Sequence, residues 1–240
     1  MIARTFFLCC AFFAVCFAVV PEARIEALNS PLTTGAANRA QIDRALEIVE
    51  ETGCEPNLCF AIDGSSSITD DEFQLQLDFV ALITGLVSLD EQSGYSAIQY
   101  GLRPKFMSRF TQDAAAFLLK VEGTRQLRSV RTFIAPGIGG CMRQFRRVRG
   151  QANKIILLGD GRSTFDSRDP PLDPPSIAAQ FLAEPNNSIC AVGVSFDTTE
   201  LLEEITGDPD RVFSVADWMS VVDVLADLVE QVCGADAVEF

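Results

Sequence analysis

Short, nearly continuous apolar runs separated by amphipathic stretches constrain this chain more than any other feature. Leu58-Cys59-Phe60-Ala61-Ile62, Lys154-Ile155-Ile156-Leu157-Leu158 and Ile189–Val194 are strand-length and lack the alternation of a half-exposed strand. Strands of this kind are buried on both faces, as happens when helices cover a parallel sheet from each side. The intervening segments have helical character. Thr69 and Glu72 stand at capping-box spacing, and Phe73, Leu77 and Val80, with Ala81 or Ile83, continue an apolar stripe. Further helices are predicted over Thr111–Lys120, Gly139–Arg149, Ser176–Ala183 and from Thr198 or Thr199 to Ile205. A closing helix over Ala216–Val232 is apolar at Val221, Val222, Val224, Leu225, Leu228, Val229 and Val232. Tyr95–Tyr100 reads as a strand, Lys105–Phe110 as its antiparallel neighbour after a Gly101–Pro104 turn, and Arg211–Val215 as a short edge strand. The order predicts an α/β fold: a doubly wound, mostly parallel sheet with one antiparallel edge strand and helices on both faces.

At 240 residues and 48% hydrophobic composition, the chain has material for one large domain. Residues 1–18 read as a signal peptide, with Arg4 ahead of the unbroken apolar run Phe6–Val20. Cleavage after Ala18 or near Ala23 both fit, and an uncleaved anchor is the alternative. Residues 19–53 read as a pro-segment or linker broken at Ser30-Pro31 and Gly35. It leads into a short helix in which Ile42, Leu46 and Val49 recur at helical spacing. Residues 54–234 form the domain and 235–240 a tail. No later segment is long and apolar enough to span a bilayer, so a secreted, extracellular location is expected.

A net charge of −14 leaves no excess of positive charge for nucleic acid or for anionic membrane surfaces. The chain has no histidine, which removes the common general base, the Ser-His-Asp arrangement and most zinc sites together. A phosphatase-like use of Asp63 as nucleophile is disfavoured for the same reason, so no enzymatic activity is expected. Removal of Cys9, Cys10 and Cys16 with the signal leaves five cysteines, an odd number in an oxidising compartment. Cys59 and Cys190 lie within buried strands and read as packed thiols, while Cys141 has no evident partner. Arg143, Arg146, Arg147 and Arg149 read as a solvated face near a helix C-terminus. Asn186-Asn187-Ser188 is a glycosylation sequon on a loop, with Asn186 the acceptor.

Asp63-Gly64-Ser65-Ser66-Ser67 follows the first buried strand directly, and ligands in open α/β sheets bind at the carboxyl ends of strands. Taken alone, the pentapeptide is an ordinary turn composition. The strand ending at Leu158 also runs into an acidic turn, Gly159-Asp160-Gly161, and in a doubly wound sheet it lies beside the first. Thr132 opens a third segment, Thr132-Phe133-Ile134-Ala135-Pro136-Gly137-Ile138. Convergence of the three gathers two carboxylates and three hydroxyls, the hard oxygen donors preferred by magnesium, manganese or calcium.

Asp63-Gly64-Ser65-Ser66-Ser67 resembles the Asp-x-Ser-x-Ser signature of the von Willebrand factor type A family. Thr132 with Ile134, Gly137 and Ile138 resembles the family's threonine loop, and Leu157-Leu158-Gly159-Asp160-Gly161 its fourth-strand motif. Ala191-Val192-Gly193-Val194 and Arg211-Val212-Phe213-Ser214-Val215 are also similar to family segments, and the similarity spans about residues 57 to 233. The resemblance implies a metal-ion-dependent adhesion site. Ser65, Ser67 and Thr132 would reach a Mg2+ (or Mn2+ or Ca2+) directly, and Asp63 and Asp160 directly or through water. An open position would take a carboxylate from an extracellular protein ligand. The alternative is a structural matrix protein of the same fold with no functional metal. Gly159 departs from the family pattern, which most often has threonine there. The resemblance also implies a disulfide between Cys54 and Cys233, at the two ends of the domain.

Overall fold

The computed structural model describes residues 30–87, 94–146, 148, 152–164, 172–194 and 199–234. The expected signal peptide, residues 19–29 of the expected pro-segment and the tail lie outside the described residues. Strands β1 (Asn57–Asp63), β2 (Gly94–Tyr100), β3 (Lys105–Thr111), β4 (Asn153–Gly159), β5 (Ser188–Val194) and β6 (Val212–Val215) form one sheet in the order β3-β2-β1-β4-β5-β6. Every pairing is parallel except β2 with β3, the antiparallel edge. The helices are α1 (Ala36–Thr52), α2 (Asp70–Val87), α3 (Ala114–Glu122), α4 (Ile134–Phe145), α5 (Pro174–Leu182), α6 (Glu200–Thr206) and α7 (Leu225–Cys233). None is long and apolar enough to cross a membrane, among the described residues.

The side-chain alternation of β1 splits the interior into two layers. Leu58, Phe60 and Ile62 enter one apolar cluster with residues of α1, α2, α3 and α7. Cys59 and Ala61 point the other way, into a cluster with residues of α4, α5 and α6. Both faces of the strand are therefore dry, and all seven of its residues are buried. The capping box forms as the spacing requires: the Thr69 hydroxyl accepts from the Glu72 amide at 3.2 Å, and the Glu72 carboxylate accepts from the Thr69 amide at 2.8 Å.

Three elements differ from the sequence-based expectation. Helix α1 is 17 residues long, and its Ile42, Ala45 and Val49 lie in the same core as α7 rather than on a detached linker. Helix α4 begins at Ile134, five residues before the expected Gly139, although it contains Pro136 and three glycines. Pro136 falls in the first turn, where its missing N–H costs no hydrogen bond. Gly140 brings the helix close to the sheet, since a Cβ there would stand 2.7 Å from Cδ1 of Ile98. The closing segment is a 3-10 helix over Trp218–Val224 before α7, not one continuous α-helix. The Asp217 carboxylate caps its start by accepting from the Ser220 amide.

Cys54 and Cys233 are disulfide-bonded, joining the residue just before β1 to the last turn of α7. Cys59 is not a packed thiol and Cys141 is not partnerless: the two form a second disulfide across the sheet–helix interface. The cause is the early start of α4, which puts Ile134, Ile138, Cys141 and Phe145 on one buried stripe facing β1. Cys190 is the free cysteine among the described residues, buried, its thiol pushed up to about 12 by desolvation and held as an inert S–H.

Candidate metal centre

The crest of the sheet forms where β1 and β4, side by side and parallel, end at Asp63 and Gly159. Asp63 is fully buried. Its Oδ1 accepts from the Ser65 amide at 2.7 Å, a turn that folds the loop back over the strand end. The Ser65 and Ser67 hydroxyls are 2.9 Å apart, and Ser67 donates to Asp160 Oδ2 at 2.9 Å. Asp160 Oδ1 in turn accepts from the Arg162 amide. Four of the five residues predicted as ligands thus share one hydrogen-bonded cluster spanning two loops.

Thr132, buried at 7% exposure, belongs to the third loop. That loop is laced to the first: the Ser66 amide donates to the Ser129 carbonyl at 2.7 Å and the Ser129 amide to the Gly64 carbonyl at 3.1 Å. Thr132 itself pairs with Thr164, its amide donating to the Thr164 hydroxyl and its carbonyl accepting from the Thr164 amide. All three loops meet at one end of the sheet.

Two glutamines hold this end together, and sequence reasoning missed both. Gln126 donates to the Ser65 and Ile68 carbonyls at 2.7 and 2.8 Å, clamping the serine loop. Gln99, fully buried in β2, donates to the Arg125 carbonyl and accepts from the Leu127 amide. A polar residue near the end of an otherwise buried strand was the only local sign of the second, and nothing local marked the first.

The donor set fits a hard divalent cation. Asp63 Oδ2 is buried and has no hydrogen-bond partner of good geometry among the described residues, an arrangement that costs free energy unless something positive faces it. No group of three or more His, Cys, Asp or Glu placed to hold a metal ion occurs among the described residues, so hydroxyls would complete the shell. Burial pushes the Asp63 carboxyl up to about 7 and the nearby Asp160 charge adds to this, against the lowering effect of the Ser65 and Asp160 amides. A carboxyl raised in the folded state stabilises the fold when protonated, and that contribution is lost as pH rises from its ordinary value through about 7. In chelator, the Tm of the wild type relative to Asp63→Asn is therefore expected to rise as pH falls from about 8 to about 5. A difference that stays flat across that range would contradict a carboxyl held protonated by burial.

Gly159 is explained by Tyr100. A Cβ at position 159 would lie 2.2 Å from the Tyr100 Oη and 3.1 Å from the Asp63 Cβ. Tyr100 is fully buried and donates to the Leu158 carbonyl at 3.0 Å. Burial first, then the Asp63 and Asp160 charges, hold its hydroxyl protonated. The phenol occupies the space that a threonine side chain would need. Gly159→Thr is expected to lower stability by about 1 to 3 kcal/mol through overpacking. Tyr100→Phe in the same chain should restore part of it, because it removes the nearest clashing atom. Chemical denaturation of the two single variants and the double variant measures the coupling; additive losses would refute the steric reading.

An open, doubly wound sheet with an oxygen-lined crest at the carboxyl ends of its central strands defines the class: an α/β domain with a candidate ligand site on its upper edge. A family model described as von Willebrand factor type A domain matches residues 57–231, and the chain belongs to that family. It is 26% identical to Collagen alpha-1(XII) chain of Notophthalmus viridescens over 201 residues, covering 77% of this chain and 20% of that protein. It is 26% identical to Cochlin of Cavia porcellus over 188 residues, covering 74% of this chain and 32% of that protein. The chain therefore spans a fifth to a third of these relatives. Proximal thread matrix protein 1 from the mussel byssus, solved with a zinc-occupied MIDAS motif, shares the fold at a TM-score of 0.66 and 18% identity. The match covers 75% of this chain and 48% of that one.

Proposed function

We propose that this chain is a secreted binding module of extracellular matrix type, not an enzyme, that captures an acidic side chain of a partner protein through a divalent cation. Asp63, Ser65, Ser67, Thr132 and Asp160 would hold Mg2+, Mn2+ or Ca2+. When bound, the ion supplies a coordination position for the partner's carboxylate. The observation that carries this reading is the buried Asp63 Oδ2, which has no hydrogen-bond partner of good geometry among the described residues while the neighbouring hydroxyls and the Asp160 carboxylate gather beside it. The mussel byssus protein with metal at its MIDAS motif and the collagen and cochlin relatives support the choice of a matrix-binding role. Secretion follows from residues 1–18 as a signal peptide. Asn186, exposed at a turn between α5 and β5, would carry the glycan of its sequon.

Water-proton relaxation with Mn2+ tests the capture step. Mn2+ bound with an open, hydrated position enhances relaxation, and a carboxylate that displaces that water lowers it. Full chain plus Mn2+ is expected to show the enhancement, acetate at high concentration to reduce it, and Asp63→Asn to abolish it. Enhancement that acetate leaves unchanged would remove the carboxylate-capture reading.

A further inference from the structure

The charge of this chain is strongly segregated across the sheet. Residues 103–146, which run from the start of β3 through α3, the threonine loop and α4, contain nine Lys and Arg against two Asp and Glu, a net of +7. Residues 200–224, which run through α6, β6 and the 3-10 helix that follows, contain seven Asp and Glu against one Arg, a net of −6. β3 and β6 are the two opposite edges of the sheet. The molecule is basic along one edge and acidic along the other.

Each edge also presents apolar surface within its charge. At the basic edge, a groove of about 610 Å³ is lined by Phe106, Arg109, Phe110, Arg143, Gln144 and Val148. Phe106 is 39% exposed with the Arg143 guanidinium 5.9 Å above its ring, and Arg109 and Arg143 are both exposed. At the acidic edge, Met219 is 47% exposed on the 3-10 helix, between the exposed Asp217 and Asp223. A thioether entering an aromatic groove with carboxylates meeting guanidinium groups is complementary in both shape class and charge.

We propose that the acidic β6 edge of one copy docks on the basic β3 edge of the next, seating the Met219 turn in the Phe106–Arg109–Arg143 groove. The overall charge of −14 repels copies in most orientations. The edge-to-edge orientation is the one that sets the basic segment against the acidic one. The contact joins two different surfaces, so it repeats head to tail and builds open chains. The groove lining and the Met219 turn include none of the candidate metal ligands, so the contact itself does not use the cation.

Sedimentation velocity of the full chain in EDTA tests this. At about 0.01 M ionic strength, where the Debye length is about 30 Å, the weight-average mass is expected to be at least about twice that of the monomer. At about 1 M, where it is about 3 Å, the chain is expected to be monomeric. Arg109→Glu/Arg143→Glu and Asp210→Arg/Asp223→Arg should each be monomeric at low salt. Mixing the two should restore association, because their reversed edges are complementary, and a misfolded variant cannot be rescued in this way. A monomer at every ionic strength overturns the proposal, as do oligomers that survive either double substitution. A chain that stays monomeric yet binds a heparin column in a manner lost with Arg109→Glu/Arg143→Glu also overturns it, and assigns the basic edge to a polyanion.

Discussion

Addition of Mg2+ to about a hundred times its Kd is expected to raise the Tm of the wild-type chain by about 5 to 10 °C, and Asp63→Asn to show no rise. An ion that binds only the folded state at that excess stabilises it by about 2.7 kcal/mol. For a domain of this size each kcal/mol corresponds to about 2 to 4 °C. Asp63 is central because its Oδ2 is the buried oxygen of the cluster that has no hydrogen-bond partner of good geometry among the described residues. The asparagine retains the acceptor that receives the Ser65 amide but discards the buried charge. In EDTA at neutral pH the variant should melt at or above the wild-type temperature, which separates loss of the site from loss of the fold. Thr132→Ala is expected to weaken the response without removing both carboxylates. A wild-type Tm indifferent to Mg2+, Mn2+ and Ca2+ alike would end the metal reading and leave the structural matrix alternative.

Replacement of Cys54 and Cys233 by alanine is expected to destabilise the chain by about 4 to 5 kcal/mol, a fall in Tm on the order of 10 to 20 °C. The two residues are 179 positions apart, so the bond restricts the unfolded chain over most of the domain. It also ties the start of β1 to the end of α7, the helix that packs with α1 over one face of the sheet. Cys59→Ala/Cys141→Ala removes the bond that closes a shorter loop, 82 positions, nested inside the first. Nested loops share unfolded-state entropy, so the quadruple variant should lose less than the sum of the two pairs. Differential scanning calorimetry under non-reducing conditions measures all three variants. A fall of less than about 2 °C for Cys54→Ala/Cys233→Ala would show that the folded termini hold without the bond.

Sequence alone was enough for the features encoded within a few residues. The buried runs around Leu58–Ile62, Ile155–Leu158 and Ile189–Val194 specified central parallel strands, because a strand without alternation has no face to give to water. Thr69 and Glu72 specified a helix start, since the capping box is closed within one turn. Asp63, Ser65, Ser67 and Asp160 were legible as one site because each follows a strand end in an α/β order, and β1 and β4 do lie side by side. What depended on how elements cross was not legible. The Cys59–Cys141 bond required the true start of α4, hidden by proline and glycines that read as loop but serve close helix–sheet approach. The exchange of a threonine for Gly159 with Tyr100 beneath it involved two residues 59 positions apart, with no local sign of their contact. The charge counts at 103–146 and 200–224 can be made on the sequence. Their placement on opposite edges comes from the strand order, which is set by crossover packing between distant segments and not by the pattern within any one of them.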